Sequence, residues 1–395
     1  MKMRAVRCLF VIACTTMAVA GCGSHSSSPS GSPTTALTKI AAGDGFSVAL
    51  KSDGSLWTWG ENNTAQLGLG DTTVRDTPTR VGTASGWAAI AGGGLLSLYR
   101  IGHSLALKKD GSLWAWGDNE YGQLGLGDTT ATAGLTPTRV GVASDWAAVA
   151  CGTYHSLALK KDGSLWAWGD NQTAQLGLGD ITDRHAPTQV GTASDWTAVA
   201  GGMDYTLALK KDGSLWAWGG NDSGQLGLRD MTKRQSPTRV GLANGWAAVA
   251  CGGGCCLALK SDGTLWAWGD NSWGQLGLGD TTKKLSPTRV GVADDWAAIA
   301  CGGWQSLALK KDGSLWAWGD DQYGQLGLGD TKERQNPTRV GVANDWAAVA
   351  CGDSHGLALK KDGSLWAWGL NDRGQLGLRH TFERHMPTKV MSWSP

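Results

Sequence analysis

From residue 38 to the end, short apolar runs alternate with turn residues, and the apolar positions never settle into a helical period. One stretch shows the plan: Trp146 to Ala150, then Ser156 to Leu159, then Leu165 to Trp168, with Lys-Asp-Gly between the second and third runs. Asp-Gly between two apolar runs is a strong hairpin signal, because glycine accepts the positive φ of a tight hairpin turn. A glycine-rich loop ending in Gln-Leu-Gly-Leu-Gly-Asp follows, and Pro187 then opens a fourth short run, at a strand start where no ladder donor is lost. The order read is strand, turn, strand, turn, strand, loop, strand. Leu165, Trp166, Ala167 and Trp168 are apolar on both faces, which fits sheets packed between like sheets and not a sheet with one wet face.

The plan recurs. Asp-Gly-Ser/Thr-Leu-Trp begins at Asp53, Asp110, Asp162, Asp212, Asp262, Asp312 and Asp362, at intervals of 57, 52, 50, 50, 50 and 50. Seven copies of a four-stranded unit predict an all-β fold, a seven-bladed β-propeller of antiparallel blades over residues 38–395. Thr38 to Ala42 matches the first strand of a unit and Pro387 to Val390 the fourth. The expected closure therefore pairs the N- and C-terminal strands in one blade, which removes an open sheet edge. The repeat accounts for twenty of the 23 tryptophans, two in each Trp-x-Trp-Gly and one at the head of six first strands. Burying each is worth roughly 4 to 6 kcal/mol gross, so they are read as core.

Composition narrows the partners. With 35 Lys and Arg against 34 Asp and Glu, the chain as a whole carries no electrostatic footprint for nucleic acid, an anionic membrane or an acidic substrate. Residues 1–21 read as a signal peptide: Lys2, Arg4 and Arg7 precede an apolar stretch too short to span a bilayer. Val19-Ala20-Gly21-Cys22 resembles the bacterial lipobox, which implies secretion across the inner membrane, lipidation at Cys22 and a lipid anchor in the cell envelope. Gly23 fits the outer-membrane sorting pattern. Residues 22–37 form the anchor and a Ser, Pro and Gly tether of about 20 Å reach, and the anchor is the expected membrane contact.

The recurrent Leu-Trp-Ala-Trp-Gly, Gly-Gln-Leu-Gly-Leu-Gly-Asp, Pro-Thr-Arg-Val and Cys-Gly-x-x-His-Ser-Leu-Ala-Leu segments resemble the regulator of chromosome condensation repeat family across residues 38–395. The resemblance implies the seven-bladed propeller and protein binding as the common thread among members with unrelated tasks. A plant photoreceptor of the family uses a Trp and Arg cluster that is not reproduced here, since Trp304 is followed by Gln305.

Chemistry is sparse. No catalytic dyad, cofactor loop or metal motif stands out: the Gly-Leu-Gly-Asp stretches recur as turns, and the Lys-Asp-Gly aspartates follow from turn chemistry. Cys151, Cys251, Cys301 and Cys351 share one position with Ala42, Gly92 and Gly201, which reads as a buried small-residue site. Cys255 and Cys256, with Cys251, leave open a soft-metal site or a disulfide beside buried thiols. What differs among the copies is free to specialise. In the turn before the second strand, Tyr154, His155, Tyr205, Trp304, Gln305 and His355 are the candidate protein-binding set, for an unidentified envelope or extracellular protein. After Trp-x-Trp-Gly, Tyr121, Trp273 and Tyr323 are candidates for stacking on a glycan. The insertion around Leu95 to Ile101 supplies the seven extra residues of the first interval and reads as a slipped duplication absorbed as an extended hairpin, with a projecting contact loop as the alternative.

Overall fold

The computed structural model describes residues 36–94, 102–129, 133–391 and 393. Within them are 28 strands in seven four-stranded antiparallel sheets, each a continuous stretch of chain with its strands in sequence order. Blade 1 comprises β1 (Leu37–Ala42), β2 (Phe46–Lys51), β3 (Leu56–Gly60) and β4 (Arg75–Arg80); blades 2 to 7 repeat the order over residues 87–139, 146–189, 196–239, 246–289, 296–339 and 346–389. Described strands are all accounted for by this plan, with no helix among them. The signal segment, Cys22, the tether up to residue 35 and the insertion at residues 95–101 lie outside the described residues.

First strands of neighbouring blades pack on one another around the axis. They can converge only if the facing side chains are small. Ala42, Gly92, Cys151, Cys301 and Cys351 line a cavity of about 20 Å³ there, room for little more than one water. The core is divided into seven apolar clusters, one at each blade junction; that between blades 4 and 5 joins Leu207, Leu215 and Ala217 to Trp246, Val249 and Trp268. Both faces of every sheet are covered, which explains strands without a polar side.

A polar latch crosses each junction. The indole Nε1 of the second tryptophan in Trp-x-Trp-Gly donates to the backbone carbonyl of the loop glutamine in the preceding blade: Trp116 to Gln66 at 2.9 Å, Trp218 to Gln175 at 2.9 Å, Trp318 to Gln275 at 2.8 Å. A second-strand hydroxyl gives the same carbonyl a second donor, as Ser104 does at 2.9 Å and Thr206 at 2.9 Å.

Closure departs from the expected shared blade. Among the described residues seven units of four strands leave no strand over, so β1 stays in blade 1 and β28 (Arg384–Lys389) stays in blade 7. The ring shuts by the junction used everywhere else: Trp59 Nε1 and Ser47 Oγ both donate to the Gln375 carbonyl, at 2.9 and 2.8 Å. Blade 1 alone begins with Leu37 where the other six first strands are headed by tryptophan, which leaves the place of that indole to be filled. Trp393, from the C-terminal tail, takes that place, edge-on to Trp57 at 5.4 Å and to Trp59 at 6.0 Å, under the Lys51 ammonium. Trp87 stands in the same relation to Trp114 and Trp116 within blade 2. The clasp is thus one indole and not one strand.

Trp393→Ala removes an aromatic plug from a single junction and is expected to cost about 2 to 4 kcal/mol of unfolding free energy in a denaturant titration. A cost near that of an exposed substitution, under about 0.5 kcal/mol, contradicts the closing role.

Candidate functional site

Strand direction sorts the connections onto two faces. First-to-second-strand turns and the long third-to-fourth-strand loops share one, the loop face; the Lys-Asp-Gly hairpins and the linkers between blades share the other, the hairpin face.

Each loop is held by its own side chains. In blade 3, Asn171 Oδ1 accepts from Leu176 N at 3.0 Å, and its Nδ2 donates to the carbonyls of Asp180 and Thr182 at 3.1 and 3.0 Å. Gln175 Oε1 accepts from Thr173 N at 3.0 Å while Nε2 donates to Asp170 Oδ2 at 2.6 Å. Gly177, at φ 71°, lies so close to Trp218 of the next blade that a Cβ would come within 2.6 Å of its indole nitrogen. The repeated glycine is therefore a contact requirement, as well as a turn.

The first candidate set divides. Tyr154 and Trp304 are half-buried on the loop face, but His155, Tyr205, Gln305 and His355 are buried at 0, 0, 0 and 1% exposure. Each of these four is the first residue of a second strand, and successive strand side chains point to opposite sides, so the neighbour of an outward aromatic turns inward. They act as struts between blades. His155 Nε2 pairs with Thr206 Oγ1 at 3.1 Å and His355 Nε2 with Ser47 Oγ at 3.0 Å; Tyr205 OH donates to the Cys255 carbonyl at 2.8 Å, and Gln305 Nε2 to the Gly352 carbonyl at 3.1 Å. Burial drives the pKa of His155 down to about 3 and that of His355 to about 4, which keeps both uncharged in the folded ring at neutral pH.

Cys256 occupies the position of the latch hydroxyls and donates to the Gln225 carbonyl at 3.2 Å, while Cys255 occupies the strut position. The six described cysteines are buried, and among the described residues no group of three or more His, Cys, Asp or Glu is placed to hold a metal ion. The Cys251, Cys255 and Cys256 run is absorbed by the scaffold.

The glycan set and the surviving part of the first set meet. Tyr121, in the blade 2 loop, packs on Tyr154, in the blade 3 turn, with centroids 5.2 Å apart. Trp273 and Trp304 occupy the corresponding loop and turn positions of blades 5 and 6, and Trp273 is 42% exposed; Tyr323 is half-buried in the blade 6 loop. Beside these aromatics lie carboxylates that residue-by-residue reading passed over, each directly after Trp-x-Trp-Gly: Glu61, Asp118 and Asp320, which are buried, and Asp170 and Asp270, which are half-buried. The signal was present, an acid in five of seven copies. Burial raises the pKa of Asp118 to about 6 and raises those of Asp170 and Asp320. On the loop face as a whole, twenty-two described Asp and Glu stand against twelve Lys and Arg.

One loop breaks the pattern. Asp321 stands where six blades have asparagine; Oδ1 still accepts from Leu326 N at 2.9 Å, but Oδ2 is buried with no hydrogen-bond partner. At that place Asn271 donates to the carbonyls of Asp280 and Thr282, so the cradle presents oxygen where it needs a donor. Burial, with Asp330 and Asp320 nearby and Arg334 opposing them, pushes the Asp321 pKa up to about 7. A carboxyl raised in the folded state costs nothing when both states are protonated; the cost grows from about pH 4 and levels off above pH 7. Asp321→Asn is therefore expected to stabilise the ring by about 2 to 4 kcal/mol above pH 7 and to be nearly neutral at pH 4, read from unfolding curves across pH. A gain independent of pH contradicts this reading.

Comparison with known proteins agrees with this architecture. Residues 24–297 match the family described as RCC1-like domain, and residues 312–359 and 362–394 match the regulator of chromosome condensation (RCC1) repeat. The chain is 34% identical over 151 residues to the ultraviolet-B receptor UVR8 of Arabidopsis thaliana, an alignment covering 37% of this chain and 32% of that protein. It is 33% identical over 154 residues to the human E3 ubiquitin-protein ligase HERC2, covering 38% of this chain and 3% of that protein. These alignments span a third or less of the relatives' length. The crystal structure of Prp20p from Saccharomyces cerevisiae, described with its binding properties to Gsp1p and histones, superposes with a TM-score of 0.77 at 27% identity over 87% of each chain. Human WBSCR16 superposes with a TM-score of 0.76 at 26% identity, over 86% of this chain and 94% of that one. A family match over more than half of the sequence, on a ring of seven such repeats, makes this chain a member of the RCC1-like domain family.

Proposed function

We propose that this protein is a non-enzymatic, envelope-anchored binding module that holds a partner protein on its loop face. The observation that carries the reading is the set of aromatics at the mouth of that face, Tyr121 against Tyr154 and Trp273 beside the Trp304 position, set among these carboxylates. Rigid aromatics with two side-chain torsions lose little entropy on binding and dominate interface hot spots. The excess of carboxylates selects a partner presenting Lys and Arg. Protein binding is also what is described for the yeast relative. Anchoring rests on the lipobox-like Val19 to Cys22, and with it the expectation of a partner in the envelope or outside the cell.

Glycan binding is the alternative, through Tyr121, Trp273 and Tyr323. It needs open aromatic faces, and Tyr121 already has Tyr154 against it.

The test is affinity capture from an envelope extract of the source organism, comparing the parent with a Tyr121→Ala, Tyr154→Ala, Trp273→Ala and Trp304→Ala variant. A protein retained by the parent and reduced at least tenfold by the variant supports the reading, since losing two hot-spot aromatics alone costs that much. Equal retention by both moves the site off this face. Retention of polysaccharide and no protein selects the glycan alternative.

A further inference from the structure

The net charge of +1 conceals a separation that the topology creates. Excluding mid-strand Lys39, the hairpin face carries eighteen Lys and Arg against twelve Asp, whereas the loop face is acidic. Lysines 109, 161, 211, 311 and 361 form an exposed circle on the hairpin turns. Outside them the linkers present Val142, Leu242, Val292 and Val342, 89 to 92% exposed, with no described side chain covering them. Between lie the half-buried first tryptophans of Trp-x-Trp-Gly in blades 2 to 7, each under the ammonium of a strand-end lysine, as Lys310 lies 4.9 Å from Trp316. A pocket of about 390 Å³ opens among Lys161, Lys210, Lys211, Trp196 and Trp246 on this face.

Lysine, tryptophan and isolated aliphatic side chains on one rim are the residue set of a membrane–water interface: ammonium groups meet anionic headgroups, indoles sit at headgroup level, and aliphatics enter shallowly. The path of the chain agrees. β1 runs from the hairpin face to the loop face, and the Ala36 carbonyl accepts from Ser52 N at 2.8 Å, so the described chain enters the ring from the hairpin side. We propose that the hairpin face rests on an anionic lipid bilayer, which turns the acidic, aromatic loop face outward. This adds a contact by the ring itself to the anchor and rests on the envelope reading only for why a bilayer is at hand. Nucleic acid is disfavoured by the exposed aliphatics, which a phosphate backbone gives no reason to expose.

The ring closes within residues 36–393, so residues 36–395, free of signal and anchor, serve for the test. Sedimentation is measured with vesicles of pure phosphatidylcholine and with vesicles containing about 30% phosphatidylglycerol, at low salt and at about 0.5 M salt. Partition onto the anionic vesicles alone, abolished by salt, is expected, because screening at that strength shortens the reach of these charges to about 4 Å. Lys109→Glu, Lys161→Glu, Lys211→Glu, Lys311→Glu and Lys361→Glu together should reduce it about 100-fold or more. Equal partition onto both vesicle types, no partition onto either, or retention by duplex DNA with none by vesicles overturns the proposal. Because lipidation is absent from this assay, failure of the anchor reading, seen as a full chain whose Cys22 takes up no labelled fatty acid, is scored separately.

Discussion

Everything in this ring hangs on one backbone carbonyl per blade. The loop glutamine offers its main-chain oxygen across the junction to the next blade's inner tryptophan, and at most junctions to a second-strand hydroxyl or thiol as well. Such a bond between neutral groups contributes only about 1 kcal/mol net, but a buried indole N–H or carbonyl left unpaired costs about 1 to 3. The latch therefore fixes how blades are placed more than how tightly they pack; the packing comes from the apolar clusters on either side of it. Gly177 and its equivalents follow from the same geometry, since the loop must lie directly on the indole it accepts from.

That constraint also decides which variable residues are free. The position after the outward turn residue must reach across to the next blade, and His103, His155, Tyr205, Gln305 and His355 solve that problem with different chemistry. Variation among copies thus marks exposure at Tyr154 and Trp304 but mere interchangeability at His155 and Tyr205. Sequence spacing located both positions of the turn; the in-and-out alternation that separates them depends on where the second strand begins, which spacing alone leaves uncertain by a residue.

Fold class, blade number and strand order were legible because Asp-Gly turns and 50-residue intervals recur without a competing pattern. Closure was not, because Thr38 to Ala42 and Pro387 to Val390 match repeat strands equally well whether they share a blade or end two different ones. The deciding residue, Trp393, lies outside the repeat pattern, and only its place beside Trp57 gives it a role. Charge was misleading in a related way. A total near zero says nothing of a ring whose two faces carry opposite signs, and only the direction of each strand assigns a Lys-Asp-Gly turn to one face and a Trp-Gly-Asp loop to the other.

The central claim, a ring shut by the same latch at every junction, is tested most directly by exchange of indole protons in a nitrogen-15 correlation spectrum. Trp59, whose partner is the Gln375 carbonyl across the closing junction, should exchange as slowly as Trp116, Trp168, Trp218, Trp268, Trp318 and Trp368. A Trp59 indole proton exchanging orders of magnitude faster than the other six would mean that the ring is open between its first and last blades.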